Sequence, residues 1–598
     1  MNSNEKKTPQ YITFALIVNA AALALSLIVY RPFFETNDDA IFCLIAEGVH
    51  GIREPHLIVA NIILGYIYKA LYTILPAVRW HSVLQYVFMF LGYTSLTYII
   101  QKISDPKGEN GKGLVRGRLL AVLITVSTFY ESYVSLQFSK TAAITCTAGY
   151  LILMYVLREK SINGNNAADA GINAGRVIKK AGTLRILAVA AYVLLIYGIL
   201  LRSSSFKMVT LLMLPLGLYE FIALIMRERK ISSKVVAFAV SFAALLCVFL
   251  AFDTINRLSY DDASGWGGFK KYHSATVKLI DRGYKFLDHD RYADLLEQNG
   301  ISDNDAVMLM TWQFGDDDVW DTDKMLSIIG SFPGKQPDVE MLKGLAENIY
   351  NDIFVFDPCV IGFLLIIIAA FILLISGGEK AKTAIMICWI AMLAGIFVFF
   401  QYSGRWSHRV TAAAMLVLIP AMISLAVSAP FKESGEAINN GVLGGMTAFI
   451  LIACMAVLLG NRFDYNDYRR SAQDYRGFYG DIAKDKETLY VADTFTFQDA
   501  YKYDVFKAYG KGSMDNFVTV GSWYLNSPIT GTMLSAYGCD NPFDALVTGG
   551  KTGNVVLVDN MSSQEKLTYL NEHYGSFELE ELPEEYGFKM YRVLKTAE

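Results

Sequence analysis

Tyr11–Tyr30, YITFALIVNAAALALSLIVY, carries no charge from end to end, and Arg31-Pro32 closes it just before Asn37-Asp38-Asp39. As a helix it is long enough to cross a hydrocarbon core of ~30 Å. It is too long for the core of a secretory signal, and no small-residue cleavage site follows, so it predicts a retained membrane anchor. A carboxylate pair pressed against a bilayer is costly unless something uses it, which makes Asp38 and Asp39 a candidate site.

The rest of the chain repeats the pattern. Of its 598 residues 53% are hydrophobic and only 18% charged, a composition that predicts a polytopic α-helical membrane protein. Apolar segments near 11–30, 80–101, 118–132, 140–157, 186–201, 206–226, 235–252, 359–376, 383–400, 410–429 and 441–460 predict about 11 crossings. With the amino terminus inside, the basic loops fall in the cytosol: Lys102 to Arg118, Arg158 to Arg185, Arg227 to Lys234, Lys380 to Lys382, and Lys432. Lys and Arg enrichment on one side is what sets orientation.

One further apolar stretch, Leu57–Leu75, breaks that parity if it crosses, because every later basic loop then changes side. The expectation is a re-entrant or surface-lying helix anchored by Lys69, Tyr66, Tyr68 and Tyr72. The transmembrane unit then covers 1–460, with outer loops 31–79 and 253–356. Residues 461–598 form an extracytoplasmic soluble α/β domain. Short strands are expected at 488–492, 517–520, 554–558 and 588–593. Ser562 and Glu565 read as a capping box opening a helix through about His573. Ser161–Gly175 reads as a mobile polar linker. The chain is placed in the plasma membrane with the amino terminus cytoplasmic. Cys146, Cys247, Cys388 and Cys454 lie within apolar runs and Cys359 at the edge of one, and none has CxxC or zinc-finger spacing. The tryptophans 266, 312 and 320 read as packing residues, and Asp316-Asp317-Asp318 as a solvated acidic loop.

Polar residues of mixed type gather at the outer ends of the spans: Asp38, Asp39, His50, His56, Gln137, Lys140, Arg202, Arg405, His408 and Arg409. Each has a plainer reading. The aspartates also suit a helix cap near Ala40, and the arginines also suit snorkelling to headgroups. His50 and His56 with an aspartate are a possible divalent-cation set, though their spacing matches no recognised ligand pattern.

Glycosyl transfer from a polyprenyl-phosphate sugar uses this mixture. A positioned carboxylate takes the acceptor's proton, and guanidinium forks match the departing phosphate. Asp38 and Asp39 are then catalytic candidates. His50, His56, Gln137, Lys140, Arg202, Arg405, His408 and Arg409 are substrate-binding candidates. The donor is a polyprenyl-phosphate-linked sugar, the acceptor a cell-envelope glycan or lipid, with membrane lipids around the chain and no nucleic acid. A glycan polymerase, a lipid-linked glycan transporter or flippase, and a non-enzymatic envelope scaffold are the alternatives. No internal repeat of the transporter kind is visible.

The acidic pair, the many short crossings and the soluble tail resemble the GT-C superfamily of membrane glycosyltransferases, which includes protein mannosyltransferases and aminoarabinose transferases. Gln137-Phe138-Ser139-Lys140, Leu201-Arg202-Ser203-Ser204-Ser205-Phe206 and Gly404-Arg405-Trp406-Ser407-His408-Arg409 are similar to segments of uncharacterised bacterial polytopic proteins of that build. The resemblance implies that Asp38 or Asp39 is the catalytic carboxylate and that transfer inverts the anomeric centre. It leaves a divalent cation possible. The Trp-Trp-Asp triplet of oligosaccharyltransferases is absent from the sequence.

Overall fold

The computed structural model describes residues 7–105, 111–166, 174–229, 232–281, 289–331, 339–354, 357–427, 440–460, 473–497, 502 and 505–596. Residues 167–173 of the expected linker Ser161–Gly175, together with Lys107 and Lys432, lie outside them.

Among the described residues ten helices are long and apolar enough to cross a membrane: Gln10–Tyr30, Trp80–Ser104, Gly113–Val134, Phe138–Glu159, Gly182–Leu201, Ser203–Glu228, Ser233–Leu258, Pro358–Ser376, Lys380–Tyr402 and His408–Val427. The eleventh expected crossing is also an apolar helix, Asn440–Gly460, packed on the helix Lys112–Phe129. The chain is a multi-pass membrane protein. Phe138–Glu159 and His408–Val427 form the centre, with 94% and 89% of their apolar windows buried, against 22% for Gln10–Tyr30, Ser233–Leu258 and Lys380–Tyr402. The outer helices turn residues such as Ile17, Ile28 and Leu250 outward, as lipid rather than water requires. Small residues let the central helices touch. A Cβ at Gly198 would lie 2.3 Å from Cys146 Sγ, so only glycine permits that approach. All seven cysteines are free.

The segment Leu57–Leu75 holds the helix Ile62–Ile74. At 13 residues it reaches only ~20 Å, too short to span, which agrees with the expectation that it does not cross. Its anchoring differs from the expectation. Tyr68 and Tyr72 are fully buried against the bundle, while Tyr66 and Lys69 stay exposed. Helical spacing puts residues 68 and 72 on one face and 66 and 69 on another.

At one end of the bundle sits a head built from two stretches of chain. Residues 489–595 contain a five-stranded sheet of order β4-β3-β5-β7-β6. Here β3 is Leu489–Ala492, β4 Phe517–Thr519, β5 Val555–Val558, β6 Phe577–Glu585 and β7 Phe588–Lys595. Strands β4, β3 and β5 are parallel, and the β6–β7 hairpin adds antiparallel. β6, FELEELPEE, was not expected from its sequence. It is an edge strand, where glutamates and Pro583 are tolerated, and the Tyr586-Gly587 turn, both at positive φ, fixes its register.

The second stretch, within 253–356, packs onto this sheet. Gly315 N–H bonds the Val520 carbonyl at 2.8 Å. Asp316 is buried and accepts from Tyr569 Oη at 2.9 Å and Tyr574 Oη at 2.7 Å, so it is a structural acceptor and not part of a solvated acidic loop. The expected Ser562 capping box does not form. Ser562 precedes the helix Ser563–His573 without a side-chain cap bond, because its hydroxyl instead joins Asp493 and Lys566.

Candidate functional site

After the first span, Arg31 takes a left-handed φ of 53° and turns the chain. The two-residue strand β1 (Phe33–Phe34) then pairs in parallel with β2 (Ser135–Leu136). That register lays the start of the helix Asn37–Glu47 beside the start of the helix Phe138–Asn166. The aspartate pair lands at this junction, and its two members part ways.

Asp39 is fully buried. Its carboxylate accepts from His81 Nε2 at 2.8 Å, Gln85 Nε2 at 3.0 Å and the Phe138 backbone N–H at 3.1 Å. It therefore satisfies an orphan donor at the start of a helix other than its own. With every contact internal, Asp39 is removed from the reacting groups expected of it. Asp38 points the other way, into a cavity of about 500 Å³ between the bundle and the head. There its Oδ2 receives Arg409 Nη1 at 2.5 Å.

Arg202, Arg405 and Arg409 all line this cavity with Asp38. Arg202 sits in the break between the helices Ala174–Leu201 and Ser203–Glu228, stacks over Phe138 at 5.2 Å, and has a buried Nε with no hydrogen-bond partner. Burial, and then the like charges of Arg409 and Arg405, pull its pKa down to about 10 despite Asp38. Among the described lining residues three guanidiniums face one carboxylate.

The roof comes from the head. Thr494, Phe495 and Phe497 follow β3, Thr519 ends β4, and Gly521, Ser522, Trp523 and Tyr524 follow it. Trp312 crosses beneath them so closely that a Cβ on Gly521 would lie 1.4 Å from its carbonyl oxygen. Trp312 is thus a cavity residue as well as a packing one. His273, from the helix Trp266–Thr276, completes the wall. Burial, then the charge of Arg405, pushes its pKa down to about 4, so it is a neutral imidazole at physiological pH.

The other expected substrate contacts lie elsewhere. His50 donates from Nδ1 to the Met514 carbonyl at 2.8 Å and meets Tyr524 Oη at 3.1 Å. It docks the head, and burial lowers its pKa. His56 lies between Glu54 at 2.5 Å and the Ser259 carbonyl at 2.9 Å and stacks on Trp266. The two imidazoles thus face different partners and do not form the divalent-cation set with Asp38 or Asp39. Gln137 accepts from the backbone N–H groups of Ser139 and Lys140 at 2.7 and 3.1 Å, capping a helix. Lys140 is buried, with Glu131 and Glu35 each at 2.6 Å. His408 faces Glu131, Asp352 and Asp357. Sequence reasoning passed over Glu131, although an ionisable residue inside a span is a signal in its own right. His273 and Trp523 gave no comparable signal, since their place in the cavity depends on how the head docks.

No family model and no curated protein matches the chain. Among solved structures, the crystal structure of ArnT from Cupriavidus metallidurans bound to undecaprenyl phosphate aligns over 98% of this chain and 98% of that one, at 9% identity and a TM-score of 0.38.

Proposed function

We propose that this chain is a membrane glycosyltransferase of the GT-C kind, moving a sugar from a polyprenyl-phosphate donor to a cell-envelope glycan or lipid with inversion at the anomeric carbon. The observation that carries this reading is the cavity with one carboxylate, three guanidiniums and a roof of aromatic and hydroxyl side chains. The excess positive charge suits a phosphate, and exclusion of water strengthens each contact.

In this reading the donor phosphate engages Arg202, Arg405 and Arg409 and competes with Asp38 for Arg409. The freed Asp38 carboxylate accepts the acceptor's hydroxyl proton as that oxygen bonds to the anomeric carbon. The carbon–oxygen bond to phosphate breaks, its electron pair stays on the phosphate, and the guanidiniums hold the resulting charge. The acceptor sugar lies against Trp523, Trp312 and the hydroxyls of Thr494, Thr519 and Ser522. Those loops leave the carboxyl ends of the parallel strands β3 and β4, the edge where α/β sheets characteristically bind ligands. The head faces outward, because the basic loops leave the opposite end of the bundle.

A structure determined with a polyprenyl-phosphate analogue tests the proposal. The phosphate is expected among Arg202, Arg405 and Arg409, and a headgroup outside this cavity overturns it.

A further inference from the structure

We infer that Glu131, Asp357 and His408 hold a divalent cation of the zinc class, at a site separate from the Asp38 cavity. One ligand atom from each of the three lies within 4.8 Å of the others. Glu131 belongs to the wide π turn Tyr130–Val134 that ends a span, a distortion often found at functional sites. Asp357 precedes the span Pro358–Ser376, and His408 opens the span His408–Val427. Three helix ends therefore converge on one point.

The distances argue for an ion between these groups. His408 Nε2 is 3.5 Å from Glu131 Oε1 and 3.7 Å from Asp357 Oδ2. A direct N–H···O bond sits at roughly 2.7–3.2 Å. Ligands of a tetrahedral ion with bonds of ~2.0–2.2 Å stand about 3.4 Å apart. Asp357 is 5% exposed, and its Oδ2 is buried with no hydrogen-bond partner. The other oxygen is already engaged, accepting the Cys359 N–H at 2.8 Å. An orphaned carboxylate oxygen aimed at an imidazole nitrogen calls for a ligand.

The surroundings complete the set. Asp352 Oδ1 lies 3.8 Å from His408 Nδ1, beyond direct hydrogen-bond range, so it adds negative charge on the far side of the ring while Nε2 faces Glu131 and Asp357. Glu131 uses its second oxygen on Lys140, which Glu35 also neutralises. Four carboxylates thus face one ammonium and one imidazole, and a dication balances most of the excess. An imidazole ligand favours zinc-like ions over magnesium or calcium, which prefer oxygen. The neighbouring Arg409 holds Asp38, so the ion fixes the helix start that presents that guanidinium.

The test is zinc content and affinity of the full-length protein in detergent, stripped with chelator and reloaded. About one zinc per chain is expected, with affinity at least ~10-fold weaker in Asp357→Asn and in His408→Gln. Visible bands of four-coordinate Co²⁺ are expected in the wild type and lost in both variants. Asp38→Asn is expected to retain the ion, so the result stands apart from any transferase assay. Absence of bound zinc, or wild-type affinity in both variants, overturns the inference. So does loss of zinc in Asp305→Asn, which would move the ion to the triplet Asp305, Glu572 and His573 in the head.

Discussion

Replacing Asp39 with alanine separates the two aspartates by stability. The Asp39 side chain is 0% exposed, and it accepts from His81, Gln85 and the Phe138 backbone at 2.8, 3.0 and 3.1 Å. Alanine removes this acceptor from all three buried donors, and of these Gln85 Nε2 keeps a contact with His81 Nε2 at 2.9 Å. Each costs about 1–3 kcal/mol, and with shared relaxation the total is about 3–6 kcal/mol. Asp38 is different: its side chain is 24% exposed and its described ion pair is with Arg409 alone. Partly screened pairs contribute about 1 kcal/mol or less. Tryptophan fluorescence followed through thermal unfolding in detergent is a suitable assay. Asp39→Ala is expected to lower the apparent midpoint by several degrees and Asp38→Ala to leave it nearly unchanged. Equal stability of the two variants would refute the assignment of Asp39 as the structural member.

Three other outcomes follow from the same geometry. Arg202→Gln is expected to weaken polyprenyl-phosphate binding about 10-fold or more, the effect of losing one charge-assisted contact, as measured by titration in nanodiscs. His273 has its pKa lowered from 6.5 to about 4 by burial and Arg405, so the unfolded chain takes up its proton first. That contribution to stability is complete above pH 6.5 and is lost as pH falls toward 4; His273→Gln should flatten the unfolding midpoint across that window. Lys566→Met strands Asp493 and Asp559, both fully buried beside it at 2.8 and 2.7 Å, and should destabilise the head by about 3–5 kcal/mol in chemical denaturation.

The membrane layout was legible because its signals are local. Length and apolarity placed ten spans within a few residues, and the parity of Lys and Arg kept Leu57–Leu75 from being counted as a crossing. The convergence of Asp38 with Arg202, Arg405 and Arg409 was also readable, since all four lie near outer span ends, the arginines at short connections and Asp38 shortly after the first span. Division of labour within the acidic pair was not. Neighbouring residues in a first helical turn point about 100° apart, and only the β1–β2 pairing decides which carboxylate meets His81 and which meets the cavity. Gln137, His50 and His56 carry the same chemistry whether they bind substrate or cap and dock, so their type alone could not separate the roles. β6 was missed for a related reason: its glutamates read as loop, while its hairpin partner supplies the pairing.

The most direct measurement is release of free polyprenyl phosphate from polyprenyl-phosphate sugars by the purified protein in liposomes supplied with a cell-envelope glycan or lipid acceptor, comparing wild type with Asp38→Asn. Loss of the proton acceptor should slow turnover by roughly 10²–10⁴-fold, while donor binding holds or tightens, because Asp38 no longer competes for Arg409, and the unfolding midpoint holds. Turnover at the wild-type rate in Asp38→Asn would contradict the account.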